Sequence, residues 1–355
     1  MSFQDRTRAF CDRFGLRVPI LLAPMAGACP PSLSVAVANA GGLGACGALT
    51  LTPDEIGDWA RTVRGASNGA FQINLWIPDP PPVRDAAHEA QVRTFLSGWG
   101  PEVAPGAGDA APLDFDAQCE ALLQAGPPIV SSIMGLYPPA FVERLKARAI
   151  SWFAIATTVA EARQAADAGA DVVIAQGMEA GGHRGAFDAG RGERQLVGLM
   201  SLLPAVVDAV SVPVVATGGL SDGRGLAAAF ALGASAVQIG TGFLRCPEAD
   251  IPPAWAEALG RTAPEDTAVS RVFSGRPGRS LANAYVRAAT GEAAPSPAPY
   301  PVQRGLTAAL RGAAAKVGDI DRMQAWAGQS AALARAEPAR DVVSRVWAEA
   351  QAILR

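Results

Sequence analysis

The sequence predicts an α/β fold, a (β/α)8 TIM barrel with a smaller, mainly helical lobe inserted after strand 8, and three observations carry that prediction. Eight short apolar, β-branched runs alternate with alanine-rich helical stretches before the composition changes. A weak repeat joins "ADAGADVVIAQG" to "FALGASAVQIGTG", each a helix end, a Gly-Ala pair and a strand closing in small residues, with Gly169 and Gly233 about two barrel units apart. The length of 355 residues exceeds a bare barrel of about 250, which leaves room for a lobe.

Taken in order, the runs are Val18 to Met25, Leu43 to Leu49, Ala70 to Ile77, Pro128 to Gly135, Ile150 to Thr157, Asp171 to Gly177, Pro213 to Leu220 and Ala236 to Leu244. "VANAGGLGACG" follows the same rhythm as the repeat, with Gly41 or Gly42 ending a helix. The next helix starts at "TPDE", where Thr52 suits the N-cap, Pro53 the first turn and Glu55 the capping box. Two segments break the rhythm. Pro78 to Pro127 reads as an insertion with one helix from about Val83 to Leu96, and Arg245 to Gln329 reads as a lid or substrate lobe. A last amphipathic helix, about Pro338 to Leu354, carries Val342, Val343, Val346, Ala350 and Ile353 at helical spacing and would close the wall. The barrel domain is therefore expected over 1–244 and 330–355, with the lobe over 245–329.

Composition narrows the partners. Half the residues are hydrophobic and the net charge is −3, which leaves no basic footprint for nucleic acid or an anionic membrane surface. No apolar run is long enough for a membrane span, and the N-terminal stretch has charges of both signs, unlike a signal peptide. The five cysteines are odd in number, scattered and without a C-x-x-C pair, so no disulfide framework and no metal site are expected. A cytoplasmic protein with a small-molecule substrate, acting as a monomer or homodimer, is the expectation.

"GLGACG" matches G-x-G-x-x-G, but a helix precedes it and a strand runs through it, the reverse of the dinucleotide fingerprint. The phosphate chemistry is placed elsewhere. Strands seven and eight end in "ATGGLSDGRG" and "QIGTGF", where barrels of this kind build phosphate sites; Gly218, Gly219 and Gly240 leave backbone N–H groups open and Thr241 adds a hydroxyl. Ordinary tight turns would read the same way.

"QGMEAGGHRG", Gln176 to Gly185, follows strand six and faces the same mouth. Its His183 sits on the Gly181–Gly182 hinge and suits an acid, a base or a substrate anchor, whereas His88 reads as solvated surface. Gln176 and Asn74 offer amide edges to a heterocycle, and Ala23, Pro24 and Met25 offer a rigid, polarizable floor for a flat ring. With one phosphate site, that set suits FMN rather than FAD or NAD. For Glu179 the sequence assigns no purpose beyond orienting the loop.

"LLAPMAG", "QINLW", "DVVIAQGMEAGGHRG", "VPVVATGGLSDGRGLAAAFALGASAVQIGTGFL", "GRPGRSLAN" and "WAGQS" together resemble the nitronate monooxygenases, formerly called 2-nitropropane dioxygenases, which are FMN-dependent (β/α)8 barrels. The resemblance implies that Pro24, Met25, Asn74, Gln176, Gly181, Gly218, Gln238, Ile239, Gly240 and Thr241 hold FMN and that His183 is catalytic. It implies oxidation of alkyl nitronates, and of nitroalkanes, by O2 to carbonyl compounds and nitrite. A similar barrel and Gly-Gly-His string occur in FMN-dependent NAD(P)H reductases of enoyl-acyl-carrier-protein thioesters and of quinones, the alternative activity. Inosine-monophosphate dehydrogenases are disfavoured, because no cysteine lies between Gln176 and Met200 to serve as nucleophile.

Overall fold

The computed structural model describes residues 2–355. It contains all eight predicted strands, each shorter than the run that announces it: β1 Ile20–Leu22, β2 Gly44–Gly47, β3 Phe71–Trp76, β4 Ile129–Ile133, β5 Ser151–Ala156 and β6 Val172–Gln176, then, after a two-residue strand β7 at Gly182–His183, β8 Val214–Thr217 and β9 Ala236–Ile239. Every pairing among the eight is parallel, in the order β1-β9-β8-β6-β5-β4-β3-β2. The two edges meet through Leu21 and Leu43, where Leu22 N–H donates to the Leu43 carbonyl at 2.8 Å and Leu43 N–H to that of Ile20 at 3.0 Å. The chain is a (β/α)8 barrel.

Alternation along each strand sorts the side chains. Ile20, Leu22, Val173, Ala175, Val214, Ala216, Val237 and Ile239 pack outward in the large cluster shared with the helices, whereas Leu21, Phe153, Ile155, Val172, Ile174 and Val215 fill the interior. The lower end is stoppered by the helix Phe3–Phe14, whose Phe10 and Phe14 reach Phe153 at ring separations of 6.2 and 5.0 Å. Helix punctuation follows the sequence. Gly41, Gly169 and Gly233 all adopt positive φ at the equivalent turn into a strand, and Thr52 and Glu55 form a reciprocal capping box. The decoy glycines have packing reasons instead: a Cβ on Gly44 would lie 2.8 Å from the Ser34 carbonyl.

The segment between β3 and β4 divides in two. One helix, Ala86–Ser97, begins three residues later than expected because Asp85 caps it, and its Val92 and Leu96 pack with Val272, Phe273, Tyr285 and Val286 rather than on the barrel. A second helix, Phe115–Ala125, was not anticipated; Asp114 caps it, Gly126 ends it, and its Leu122 joins the main core as a barrel-wall helix. Beyond β9 the helices Pro253–Leu259, Ala284–Ala289, Val302–Leu306 and Ala308–Val317 surround a small antiparallel sheet, β10 Thr267–Ser270 and β11 Gly278–Leu281, to which β7 adds a third strand. The final helix Ala339–Leu354 buries Val342, Val343, Val346 and Ala350, but Ile353 lies outside the stripe and is 56% exposed. Among the described residues no helix is long and apolar enough to cross a membrane, and all five cysteines are free thiols.

Because Phe10 is buried against the barrel floor, Phe10→Ala is expected to cost about 3–5 kcal/mol. Urea unfolding checks this; a loss below about 1 kcal/mol would mean the helix does not stopper the barrel.

Candidate active site

The alternation that fills the barrel with apolar side chains low down brings polar ones inward at the top. Asn74 and Trp76 end β3, Gln176 ends β6, Thr217 ends β8 and Gln238 precedes the end of β9, all facing a cavity of about 340 Å3. Ala23, Pro24 and Met25 after β1, Gly181, Gly182 and His183 after β6, Gly218 and Gly219 after β8, and Gly240 and Thr241 after β9 line the same cavity. Ile239 does not. It sits one position off the inward set, 1% exposed, and its side chain packs with the helical layer, so only its backbone belongs to this end of the strand.

The glycines are close-approach positions. Gly218 and Gly219 have φ of +112° and +69°, and a Cβ on Gly218 would lie 3.1 Å from the Ala180 nitrogen. A Cβ on Gly181 would sit 2.5 Å from the Gly328 nitrogen, with Thr241 Oγ1 at 2.8 Å, so no side chain fits between these loops. Thr241 Oγ1 already accepts from Gly328 N–H at 3.0 Å. The helix Gly223–Ala231 behind β8 is capped by Asp222, which accepts from Gly225 N–H.

Gln176 is mostly committed to the loop. Its Nε2 donates to the His183 carbonyl at 3.1 Å and its Oε1 accepts from Gly185 N–H at 2.8 Å, leaving one amide hydrogen for anything in the cavity. Glu179 acquires a definite role: its carboxylate accepts from Leu199 N–H at 2.9 and 3.1 Å and so caps the helix Leu199–Ala209, whose own N-cap is Gly198. Its carbonyl accepts from Gln329 N–H at 2.9 Å, tying the loop to "WAGQS". Arg184, fully buried, donates to the carbonyls of Gln176 and Gly177 and clamps the end of β6.

His183 is held on every side. Its ring lies between Trp76 and Trp326, each with its centroid 4.6 Å away, and its Nε2 is 2.8 Å from Ser274 Oγ. Enclosure by these rings, with the guanidinium groups of Arg276, Arg304 and Arg311 nearby, pushes the imidazole down to about 3. Arg276 is bound by Asp79 through two contacts of 2.5 and 2.6 Å. Among the described residues Arg304 and Arg311 have no carboxylate partner; Arg311 bonds to Gln324, Thr307 and the Arg304 carbonyl, and both line the cavity. The site is thus electropositive around a neutral imidazole. Ser274, Arg304 and Arg311 carried no sequence signal that singled them out, and Trp76 and Trp326 stood inside "QINLW" and "WAGQS" without a role of their own. The other histidine, His88, lies away from the cavity, where its Nε2 is 2.8 Å from the Ser296 carbonyl.

Comparison with known proteins agrees with this geometry. The family model described as nitronate monooxygenase matches residues 9–349. The chain belongs to the nitronate monooxygenase family. It is 37% identical over 355 residues to a nitronate monooxygenase from Paraburkholderia phytofirmans, covering 98% of this chain and 96% of that one. Among solved structures, a nitroalkane oxidase from Streptomyces ansochromogenes superposes with a TM-score of 0.88 at 38% identity, over 98% of this chain and 100% of that one. FabK from Thermotoga maritima gives 0.76 at 28% identity, over 98% and 96%. The relatives in the nitronate monooxygenase family are oxidoreductases, so the cavity belongs to an enzyme.

A neutral imidazole at ordinary pH has a direct signature. With the group pushed down to about 3 from an ordinary value of about 6.5, it is expected to stay unprotonated as pH falls from about 8 to about 5. Its ring C–H proton resonances, identified by their loss in His183→Asn, should not shift over that range; a midpoint near 6.5 would contradict the enclosure described here.

Proposed function

We propose that the chain uses FMN to oxidise alkyl nitronates with O2 to carbonyl compounds and nitrite, and that neutral nitroalkanes enter after loss of their α-proton to His183. The observation that carries the reading is one cavity lined both by a glycine-rich loop cradle and by a neutral histidine with two arginines that no carboxylate binds among the described residues. The cradle suits a phosphate: the backbone N–H groups of Gly218, Gly219, Gly240 and Thr241 would be its donors, and two of these residues adopt positive φ. Ala23, Pro24 and Met25 would support the flat ring, and the amides of Asn74, Gln176 and Gln238 would meet its polar edge, with Gly181 and Gly182 leaving room beside it. When bound, FMN supplies the acceptor for the substrate's electrons and the site of O2 chemistry.

The protein's own contribution is electrostatic. A nitronate is an anion, and Arg304 and Arg311 face the cavity with charge that no carboxylate offsets. Trp76 and Trp326 pack against the imidazole, each with its ring centroid 4.6 Å away. In the resting site burial, with the arginines adding to it, holds His183 neutral, the form able to take a proton. Formation of a nitronate beside them offsets their charge and makes the transferred proton easier to keep.

The rival reading, an FMN-dependent NAD(P)H reductase of enoyl thioesters or quinones, draws on the 28% identity to FabK. Anaerobic mixing separates the two. A nitronate is expected to bleach the flavin absorbance while NADH leaves it unchanged; rapid bleaching by NADH would transfer the assignment to the reductase. Separately, Gly218→Val should leave the purified protein colourless after incubation with FMN, because the side chain needs φ of +112° and approaches Ala180. Undiminished flavin content would remove the β8 loop from the phosphate site.

A further inference from the structure

The bond between His183 and Ser274 has a direction that the surrounding groups decide. Ser274 Oγ is 2.8 Å from His183 Nε2, accepts from Arg276 N–H at 3.2 Å, and has the Arg276 carbonyl within reach at 3.2 Å. A hydroxyl has one proton to give. Among the described residues no other donor reaches the Arg276 carbonyl, and Arg276 is 1% exposed. Giving the proton to the imidazole would leave that buried carbonyl without a donor, whereas giving it to the carbonyl leaves Ser274 as acceptor from an Nε2–H. Among the described residues nothing hydrogen-bonds the other ring nitrogen, Nδ1, and it is not sealed off, so it is the nitrogen open to the cavity that His183 lines.

The serine is held rigidly enough to enforce this. Gly275 adopts φ of +88°, and a Cβ there would lie 2.5 Å from the Tyr300 nitrogen, so the turn is pressed against the strap before the helix Val302–Leu306. Gln303 Nε2 donates to the Val272 carbonyl at 2.8 Å and Thr307 Oγ1 to that of Phe273 at 2.6 Å, fixing the two residues before Ser274.

We propose that Ser274 is a positioning residue that holds His183 as the Nε2–H tautomer and turns the Nδ1 lone pair toward the substrate. Building on the function proposed above, this decides between two roles for the histidine. A ring whose only N–H is committed to Ser274 has none to donate to a nitronate oxygen, so it does not anchor the anion. It can accept a proton at Nδ1. In that step the Cα–H bond of a neutral nitroalkane breaks, the proton goes to Nδ1, the electron pair forms the C=N bond with charge on the nitro oxygens, and the imidazole becomes an imidazolium protonated at both nitrogens.

The tautomer is read directly from 15N shifts of imidazole-labelled holoenzyme, in a His88→Gln background that leaves His183 the only histidine. A protonated Nε2 with a pyridine-type Nδ1 is expected; a protonated Nδ1 overturns the proposal. In Ser274→Ala, turnover of neutral nitroalkane should fall by about 100-fold, a general-base-sized loss, with preformed nitronate changed by less than about 2-fold, and Ser274→Thr should restore most of it. Equal losses on both substrates, or none on either, would reduce Ser274 to a structural residue. If the wild type turns over neither compound, the proposed function falls, while the nitrogen shifts still decide the tautomer.

Discussion

Two residues of antiparallel pairing, Gly182 and His183 against Arg279 and Gly278, hold the active-site loop to the part of the chain beyond the barrel. That pairing adds to the bonds with Gln176, Val197 and Gln329 that already hold the backbone of the loop after β6. With it, Arg184 N–H also reaches the Pro277 carbonyl at 2.9 Å, and His183 is carried to the one place where Trp76, Trp326 and Ser274 meet. Gly182, at φ of +74°, makes the change of direction possible. Gln176 and Arg184 secure the pairing from below through the His183, Gln176 and Gly177 carbonyls, so the strand end and the loop form one hydrogen-bonded unit. The barrel sets the height of the histidine and the added sheet sets its direction.

That placement has an electrostatic cost. Arg184, Arg276 and Arg279 are all nearly sealed from solvent, yet only Arg276 has a carboxylate bonded to it, Asp79. Arg279 relies on the Met178 carbonyl and Thr267, and two nitrogens of Arg184 have no partner at all. Burying charge without full compensation is unfavourable. Burial lowers the proton affinity of Arg184 to about 10 and also that of Arg279. Burial is the main reason the His183 imidazole titrates low, and Arg276, with Arg304 and Arg311, adds to it.

The sequence showed the barrel clearly because the evidence for it is local. Strand periodicity, the repeated Gly before a strand and the Thr52 capping box each need only a few neighbouring residues to be recognised. Three misses mark the limit of that reading. Ile239 shares a motif with Gln238 and Gly240, but alternation along β9 sends its side chain outward and leaves only its backbone at this end of the strand. The helix Phe115–Ala125 was hidden inside a segment read as one insertion, although Asp114 and Gly126 are ordinary start and stop signals. Glu179 lacked a role because its target, Leu199 N–H, belongs to a helix 20 residues on. The residues around His183 were harder still. Trp76, Ser274, Arg304, Arg311 and Trp326 come from widely separated segments, and only tertiary pairing brings them to one ring.

The same period-two rule explains why this end of the barrel can be an active site at all. Along β3 the inward positions run Gln72, Asn74 and Trp76, while the outward ones, Phe71, Ile73 and Leu75, are wholly apolar. Buried polar side chains at such positions need partners, and they find each other: Gln72 Nε2 donates to Gln238 Oε1 at 3.1 Å and Asn74 Nδ2 to Ser131 Oγ at 3.0 Å. These bonds use one end of each amide. The Nε2 of Gln238 and the Oδ1 of Asn74 remain free of protein partners on residues that line the cavity, and Gln176 keeps one hydrogen. A packed apolar floor would offer a ligand only shape, whereas this layer offers unspent donors and an acceptor fixed on rigid strand ends. The loops above can then supply charge and an imidazole without also having to orient what lies below them.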